Sequence, residues 1–531
     1  MGTTTKQLHQ LLDLVNNDEL VLPEIQRDFI WDRKNVLLLF DSLYRGLPIG
    51  YMLVWKAKRA VAEKGFKRSL KRIPGRRIDN FYGYLLDGQQ RLTSIQLVRD
   101  GEDYYSLMFS LRPQLDGDPD SNRFSYAARW NSGPWFVPVS EVLEGTLKPL
   151  VVIENLKKAD DFDYHRDAEK IITSIAKLSD IMDRSIGIIE HEEDDYKKAT
   201  ELFIRFNSTG KNLRRSDLVA AELALTVPNL ISTKIQKAST TIYNHYGFNF
   251  TKTFLIQCLS AVHTDKVDHK KAKEVWCKST EAQILKSWER TSLGIDRAIE
   301  FITGTVRWDS DAWLPSINAL MPLIYLMSKK KFNAQERLMA RQWLLLSSFY
   351  AIFSGSVYSE LDRLFKGLKN EPSIDKLYAL TKRYFYKINP DSLMSGRRTG
   401  AVMSLYISLL RNTNAKNWIT HTPLDGSVVG HNAELQVHHI FPRSLLLKRG
   451  YKYSEINTFA NYALINKDSN LDISDEEPTK YIKRLSIKKD DLWPQCFPRD
   501  MKLLNVKHYD EFICERQKVL ARAFNDYIFG G

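Results

Sequence analysis

Cysteine is scarce in this chain, and its cysteines are not paired in sequence. Only four of the 531 residues are cysteines. Without close pairs, neither a disulfide framework nor a zinc ribbon is indicated. The scarcity suits a reducing compartment, and we expect a cytoplasmic protein. The four positions are Cys258, Cys277, Cys496 and Cys514.

Long apolar runs are also missing. No uncharged apolar segment approaches the roughly 20 residues that a membrane-spanning helix needs, so we expect no membrane partner. The start of the chain, Met1–Lys6, is polar and leads into a predicted amphipathic helix over 6–16 rather than a signal peptide. Clear internal repeats and low-complexity tracts are absent too.

Hydrophobic residues and positive charge are abundant. With 43% hydrophobic and 11% aromatic residues the chain can bury sizeable cores. Its length predicts roughly three or four domains. The formal net charge is +13 and the isoelectric point is about 9.2. This balance favours a polyanionic partner, nucleic acid first.

Positive charge is concentrated in residues 56–77, which hold ten Lys or Arg and one Glu. One interpretation is a loop that contacts nucleic acid, since phosphate contacts provide affinity for any sequence. The other is a solvated surface segment without a partner. Both interpretations stay open. Under the first, the candidate contacts are Lys67, Arg68, Lys71 and Arg72.

A strand predicted at 82–86 runs into the segment Asp87–Arg91, which helical spacing follows. Gly88 allows a sharp turn and a close approach to a ligand. A helix that begins after a strand presents free N–H groups to an anion. Arg91 would then pair with a phosphate, and Asp87 would hold a metal or a water. The spacing alone favours the alternative, a plain strand–turn–helix corner with polar capping.

Near the C-terminus His438 and His439 end an apolar run, Asn461 opens the next one, and Asn470 follows nine residues later. Water that attacks a phosphodiester must lose a proton, a task that suits a neutral imidazole. The charge on the leaving oxygen must be neutralised, which a Mg²⁺ held by few protein groups does. Neighbouring strand residues face opposite ways, so both rings reach one site only where the strand ends, as Pro442 indicates.

We therefore predict a β-hairpin followed by a helix. In this hypothesis His439 is the general base and Asn461 forms a hydrogen bond with its ring. His438 and Asn470 are the metal ligands. The alternative is a pair of packed, satisfied histidines and asparagines that form turns.

The order His-His-Ile-x-Pro, Asn, Asn resembles the HNH (ββα-metal) nucleases. It resembles more closely the C-terminal nuclease domain of the GmrSD-type, modification-dependent (type IV) restriction endonucleases. Many HNH domains carry zinc-binding cysteine pairs, and without them here the domain must be held by packing. Three further motifs, in order, resemble the N-terminal domain of the same family, which is similar to the ParB/sulfiredoxin fold. They are Gln26-Arg27 with Trp31, Asp87–Arg91, and 206–213 (FNSTGKNL).

The N-terminal resemblance implies binding and hydrolysis of a nucleoside triphosphate, without distinguishing GTP, ATP and UTP. The segment Asp87–Arg91 lies at the centre of the implied site. The nucleotide-binding residues that it implies are Gln26, Arg27, Asp87, Gly88, Gln89, Gln90, Arg91, Asn207 and Lys211.

We accordingly predict an α+β multidomain enzyme. A ParB-like NTP-binding domain occupies 1–220, a helical connecting region 221–420, and an HNH nuclease domain 421–531. The resemblance implies a prokaryotic phage-defence enzyme, an NTP-regulated endonuclease that depends on Mg²⁺ or Mn²⁺ and cuts modified foreign DNA. A homo-oligomer is compatible with the sequence. Two alternatives stay open: a DNA-binding NTP switch with an inactive nuclease remnant, and an RNA-directed HNH nuclease.

Overall fold

A computed structural model describes most of the chain. The described residues are 2–23, 31–56, 67–68, 81–101, 106–112, 123–126, 133–193, isolated positions between 198 and 227, 230–393, 399–424 and 435–530. The chain divides into two compact units, Met1–Lys234 and Ile235–Gly531. Helices and several small sheets occur in it together, which confirms the predicted α+β class.

The first unit is built on two sheets. Its strands are β1 (Gly2–Gln7), β2 (Leu20–Pro23), β3 (Met52–Lys56), β4 (Lys67–Arg68), β5 (Gly83–Asp87), β6 (Leu107–Ser110), β7 (Phe124–Tyr126), β8 (Phe136–Pro138) and β9 (Ser185–Glu192). The larger sheet is mixed, with the strand order β1-β9-β3-β5-β2-β4. Within it β3 runs parallel to β9 and β2 parallel to β5, and the other neighbours are antiparallel. The smaller sheet has the order β7-β6-β8.

Helices pack on these sheets around one apolar core. They are α1 (Leu8–Asn16), α2 (Arg33–Arg45), α3 (Gln89–Arg99), α4 (Val139–Leu143), α5 (Pro149–Leu156) and α6 (Tyr164–Ser179). Apolar residues of the helices and of both sheets share the core. For example, Leu11 of α1, Phe40 of α2 and Ile95 of α3 are fully buried.

The first predicted helix is present, but it begins later than the spacing indicated. Residues 2–7 form the edge strand β1 beside β9 instead of a first helical turn. Three consecutive threonines favour that extended backbone, because β-branched side chains fit a pleated strand. The apolar spacing that begins at Leu8 then forms α1, whose Leu8, Leu11, Leu12 and Val15 are buried as their positions predict.

The second unit begins with helices that pack mainly on one another. They are α7 (Gln236–Tyr246), α8 (Lys252–Thr264), α9 (His269–Lys278), α10 (Glu281–Phe301), α11 (Leu320–Met327), α12 (Ala334–Phe349), α13 (Val357–Leu368), α14 (Ile374–Thr381) and α15 (Thr399–Asn412). α10 and α11 meet at Gly294, where an added Cβ would lie 2.6 Å from the Ile324 carbonyl oxygen. This close approach of two backbones requires glycine.

The same unit contains a two-stranded hairpin and short helices near the C-terminus. These elements are β10 (Leu435–His439), α16 (Arg443–Lys448), α17 (Tyr453–Ile456), β11 (Tyr462–Asn466), α18 (Lys467–Ile473), α19 (Pro478–Arg484), α20 (Lys489–Leu492) and α21 (Tyr509–Phe529). α21 packs against α12 and α15. The predicted helical connecting region from residue 235 onward and the predicted nuclease domain thus lie within one compact unit.

Candidate functional site

The predicted hairpin and helix occur where the histidines lie. β10 and β11 are antiparallel, with His438 opposite Ala463 and His439 opposite Tyr462. β10 ends at His439, and Pro442 then begins the next helix as its N-cap residue. β11 passes directly into α18, which carries Asn470. The strand end and the helix start therefore place His438 and Asn470 side by side.

His438 is buried, with 3% of its surface exposed. Its Nδ1 lies 2.8 Å from Asn470 Oδ1. The rings of Trp418 and Tyr481 stand edge-on to the imidazole at 5.8 and 6.0 Å. Burial is the main cause that lowers the pKa of His438 to about 4. The ring is thus neutral near pH 7, and because the Asn470 amide oxygen only accepts, Nδ1–H donates to it and the lone pair lies on Nε2.

Asn470 is held from its other end as well. Its Nδ2 donates to Gln436 Oε1 at 2.9 Å, and Gln436 lies on β10 two residues before His438. This hydrogen bond orients the amide so that Oδ1 faces the histidine. The Nε2 atom of His438 is buried and lacks a hydrogen-bond partner among the residues that the structure describes.

His439 has a different environment. Its ring is half-buried and stands edge-on to Tyr462 at 4.9 Å. Its Nε2 lies 3.0 Å from Asn457 Oδ1. An amide oxygen only accepts, so Nε2 carries the hydrogen and Nδ1 keeps its lone pair. The ring is therefore held as the tautomer that offers Nδ1 as a base.

The predicted hydrogen bond between Asn461 and the ring of His439 is wrong. The Asn461 side chain is fully buried and is used by the backbone instead. Its Oδ1 accepts from Phe441 N at 2.9 Å, and its Nδ2 donates to the carbonyl oxygens of Phe441 and Ile456, each at 3.1 Å. Both amide hydrogens are thus occupied. Asn461 joins the segment after His439 to the end of α17, and Asn457 takes the place that we predicted for it.

A buried arginine supports this region from α21. Arg516 is fully buried and donates to the carbonyl oxygens of Ala460 at 2.8 Å, Tyr462 at 2.6 Å and Gln495 at 3.0 Å. Its guanidinium also lies 4.9 Å from the ring centre of Phe497. The two carbonyls at 460 and 462 flank Asn461. Arg516 therefore fixes the start of the strand that pairs with His439.

Sequence reasoning missed Asn457 and Arg516. Asn457 lies in the connection between the two strands, and its position carries no periodic signal. Arg516 had a signal: it interrupts an apolar face at four-residue spacing with Phe512, Leu520 and Phe524, all of them buried. A charged residue on such a face is seldom buried without a specific set of partners.

The predicted nucleotide segment lies at a tight corner of the first unit. Asp87 ends β5, and Gly88 has φ +99° and precedes α3. A Cβ at Gly88 would lie 2.8 Å from Met52 Cγ. Glycine is therefore required there both for its backbone angle and for space, as the sequence indicated.

Arg91 already has partners in this corner. Its guanidinium donates to the carbonyl oxygens of Ile49 at 2.5 Å and Tyr51 at 2.9 Å, and it pairs with Asp87 at 2.8 Å. Gln89 and Gln90 are buried at the start of α3. Gln90 Oε1 accepts from Trp31 N at 3.1 Å. The side chains of this segment thus form hydrogen bonds with the backbone of residues earlier in the chain, and a role in nucleotide binding stays a prediction.

Several predicted contacts lie outside the described residues. They are Gln26, Arg27, Asn207 and Lys211 of the nucleotide prediction and Lys71 and Arg72 of the nucleic-acid prediction. For Lys67 and Arg68 the structure describes the backbone as β4, paired with Leu22 and Pro23 of β2.

No group of three or more His, Cys, Asp or Glu side chains able to hold a metal occurs in the part of the chain that the structure describes. Within the same described part, no helix combines the length and the apolar character that crossing a membrane requires.

Comparison with known proteins bears on the first unit most directly. Residues 8–224 match the N-terminal domain of the GmrSD restriction endonucleases. This stretch contains α1, the corner at Asp87–Arg91 and the strands β2 to β9 of the first unit. The N-terminal part of the predicted resemblance is confirmed.

A second similarity extends over both units. An uncharacterised protein of Methanocaldococcus jannaschii is 22% identical over 516 residues, which cover 91% of this chain and 87% of that protein. The similarity thus includes the helical part and the hairpin as well as the matched N-terminal domain.

Proposed function

We propose that this protein is a metal-dependent HNH-type endonuclease that cuts modified foreign DNA under the control of a bound nucleoside triphosphate. The observation that carries the proposal is the end of β10. There His438 lies 2.8 Å from Asn470, and the next residue, His439, lies 3.0 Å from Asn457. One proposed metal ligand and an oriented base thus follow each other directly on one strand, and the second ligand, Asn470, lies on α18 beside them.

The two histidines have different roles in this proposal because they differ in exposure to solvent. His438 is too deeply buried to take a proton from a water beside a substrate. His439 is half-buried and keeps Nδ1 free, because Nε2–H donates to Asn457. In the proposed reaction, water attacks the phosphorus atom and its proton passes to His439 Nδ1. A P–O bond forms, the bond to the leaving oxygen breaks, and Asn457 acts as a positioning residue that stabilises the imidazolium.

The residues fit a divalent ion with few protein ligands. His438 Nδ1 and Asn470 Oδ1 are separated by 2.8 Å. Because the amide oxygen only accepts, Nδ1 carries the hydrogen here, and a metal held by these two atoms would require that hydrogen to move to Nε2. When bound, Mg²⁺ or Mn²⁺ would neutralise charge on the leaving oxygen. Gln436 keeps the Asn470 oxygen turned toward the histidine.

The match to restriction endonucleases over residues 8–224 supports DNA as the substrate and foreign DNA as the target. The net charge of +13 suits a polyanion. For the nucleotide, α3 begins directly after Gly88, and the positive end of its helix dipole suits a phosphate. Gln89 and Arg91 lie in its first turn.

Digestion of modified and unmodified phage DNA in Mg²⁺ or Mn²⁺, with and without each nucleoside triphosphate, tests the whole proposal. Replacement of a general base should slow cleavage by about 10²–10⁴-fold, so we expect that loss for His439→Ala. Asn457→Ala should lose about tenfold or more, whereas Asn457→Asp keeps an acceptor oxygen and should retain most of the rate. His508→Ala is the matched control, because that exposed ring pairs with Glu511.

Cleavage by His439→Ala at the parent rate would overturn the assignment of the base. DNA binding without scission in any metal would favour the NTP switch with an inactive nuclease remnant. Cleavage of RNA alone would favour the RNA-directed nuclease. Calorimetry with ATP, GTP and UTP tests the nucleotide: Arg91→Ala should lose binding and Arg99→Ala should keep it. A parent protein that binds none of the three would remove nucleotide control.

A further inference from the structure

A cavity of about 660 Å³ lies in the second unit between α9 and α10. One face of α10 lines it, with Gln283, Lys286, Ser287 and Arg290 at helical spacing. The end of α9 provides the opposite wall, and His263 of α8 contributes as well. The volume is in the range of ligand sites, roughly 300–1,000 Å³. The predicted nuclease site does not include any of these residues.

The cavity carries a surplus of positive charge. Lys278, Lys286 and Arg290 line it together with one carboxylate, that of Glu274. Glu274 pairs with Lys278 at 2.8 Å. Among the described residues, neither Lys286 nor Arg290 forms an ion pair with a carboxylate. In the described part of the chain, two of the three cations that line the cavity thus have no ion-pair partner.

A chain of hydrogen bonds orders the wall behind Arg290. The Ser279 hydroxyl donates to Val275 O at 2.7 Å, so it must accept from His263 Nε2–H, which lies 2.7 Å away. His263 Nδ1 then keeps a lone pair and accepts from the Ser287 hydroxyl at 2.9 Å. Ser287 Oγ in turn accepts from Arg290 Nη2 at 3.4 Å. The hydrogen bonds therefore all run in one direction, from the Arg290 guanidinium through the side chains behind it to the carbonyl oxygen of Val275.

This ordering determines what the wall can offer a ligand. Both serine hydrogens are used within the chain, and the Gln283 amide oxygen accepts from Thr280 N at 2.9 Å. The remaining capacity consists mainly of N–H groups: those of the Lys286 ammonium, of the Arg290 guanidinium and of the Gln283 amide nitrogen. A wall of donors with two unpaired cations suits a compact anion with several acceptor oxygens. Phosphate has that chemistry, and arginine and lysine are its usual partners.

Neutral His263 is part of this arrangement. Burial, and to a lesser degree the neighbouring Arg290, lower the pKa of His263. A protonated ring would need an acceptor on Nδ1, and the Ser287 hydroxyl would have to turn away from it. The neutral ring keeps Ser287 Oγ turned toward Arg290 as an acceptor.

We propose that this cavity is a phosphate-binding site in which Lys286 and Arg290 contact the anion and the His263–Ser287 pair positions Arg290. The phosphate can belong to a nucleic-acid strand, in which case the site rests on the proposed function and extends its DNA contacts. It can also belong to a free nucleotide. Both sources share the same chemistry, and binding measurements separate them.

The first measurement is fluorescence anisotropy with a labelled 30-base-pair duplex over a series of KCl concentrations, in EDTA so that cleavage plays no part. Each lost phosphate contact should reduce the slope of log K against log[KCl] by about 0.9. We expect a reduction near that size for Lys286→Gln and for Arg290→Gln, and about twice that for the double variant. Both side chains are exposed, so the variants should fold. Lys376→Gln is the control, since that lysine lies on α14 and pairs with Glu371.

The second measurement is calorimetry with ATP and GTP on the same variants. A loss of affinity for nucleotide with an unchanged DNA slope would assign the phosphate to a free nucleotide. Ser287→Ala should weaken whichever probe binds, by less than Arg290→Gln does. Unchanged binding of both probes in the double variant, or a parent that binds neither, would overturn the site. Absence of cleavage would not affect these readouts, so failure of the nuclease proposal is distinguishable.

Discussion

Replacement of Arg516 by methionine tests whether the hairpin depends on one buried cation. Methionine has a similar length and no charge. The change leaves the carbonyl oxygens of Ala460 and Tyr462 without the donor that now lies at 2.8 and 2.6 Å, whereas the Gln495 carbonyl oxygen keeps the Tyr406 hydroxyl as a donor. Each orphaned acceptor costs about 1–3 kcal/mol. Removing a buried charge recovers part of this, because burying the guanidinium is itself costly.

The net expectation is a loss of about 2–4 kcal/mol in the local stability of the hairpin, roughly 30- to 700-fold in an opening equilibrium. Native-state hydrogen exchange measures that opening directly. The reporters are the buried amides of Ile440, which donates to Asn461 O, and Leu464, which donates to Gln495 Oε1. The amide of Ser328, bonded to Ile324 O in the helical part of the unit, is the control.

Arg516→Lys refines the test. An ammonium keeps the charge but donates from one point, so it cannot reach the carbonyls at both 462 and 495 as the planar guanidinium does. We expect an intermediate acceleration of exchange. Unchanged exchange at Ile440 and Leu464 in the methionine variant would refute the argument. Equal acceleration at Ser328 would show a global effect instead of a local one.

Three further outcomes are expected. Gly294→Ala should destabilise the second unit by about 1–3 kcal/mol, because its Cβ would lie 2.6 Å from Ile324 O; Gly304→Ala, with open space around it, is the control for thermal unfolding. Stability should fall as the pH drops below about 6.5, where the unfolded state takes up protons that folded His263 and His438, with their lowered pKa values, do not; His263→Gln should remove the His263 part of this slope in phosphate-free buffer. Mn²⁺ should support faster cleavage than Mg²⁺, because an imidazole ligand suits Mn²⁺ better, and equal rates at saturating metal would count against an imidazole ligand.

The local part of the candidate site could be predicted from the sequence. Two histidines at the end of an apolar run, a proline soon after, and a second run that passes into a helix are features of short range. They correctly predicted β10, β11 and the adjacency of His438 and Asn470. The two strands follow from their pairing with each other, and the adjacency of His438 and Asn470 follows because α18 starts where β11 ends.

The partner of His439 could not be predicted in the same way. Asn457 and Asn461 are four residues apart in one irregular connection, and either amide has the right chemistry. The choice follows from burial: the backbone groups of Phe441 and Ile456 need partners, and Asn461 satisfies them. Leaving these buried backbone groups unpaired would cost more free energy than giving the half-buried ring of His439 a different partner.

The hairpin itself explains why distant residues matter to the proposed chemistry. Two strands alone are marginally stable, and in the described residues β10 and β11 have no third strand beside them. The buried side chain of Gln495 takes that place, since its Oε1 accepts from Leu464 N at 3.1 Å and its Nε2 donates to Leu464 O at 2.9 Å. Arg516 holds the backbone of Gln495 and of Tyr462 together. The orientation of His439, opposite Tyr462, therefore depends on a helix that begins 70 residues after it, and a chain ending before α21 should lose the site even with every proposed catalytic residue present.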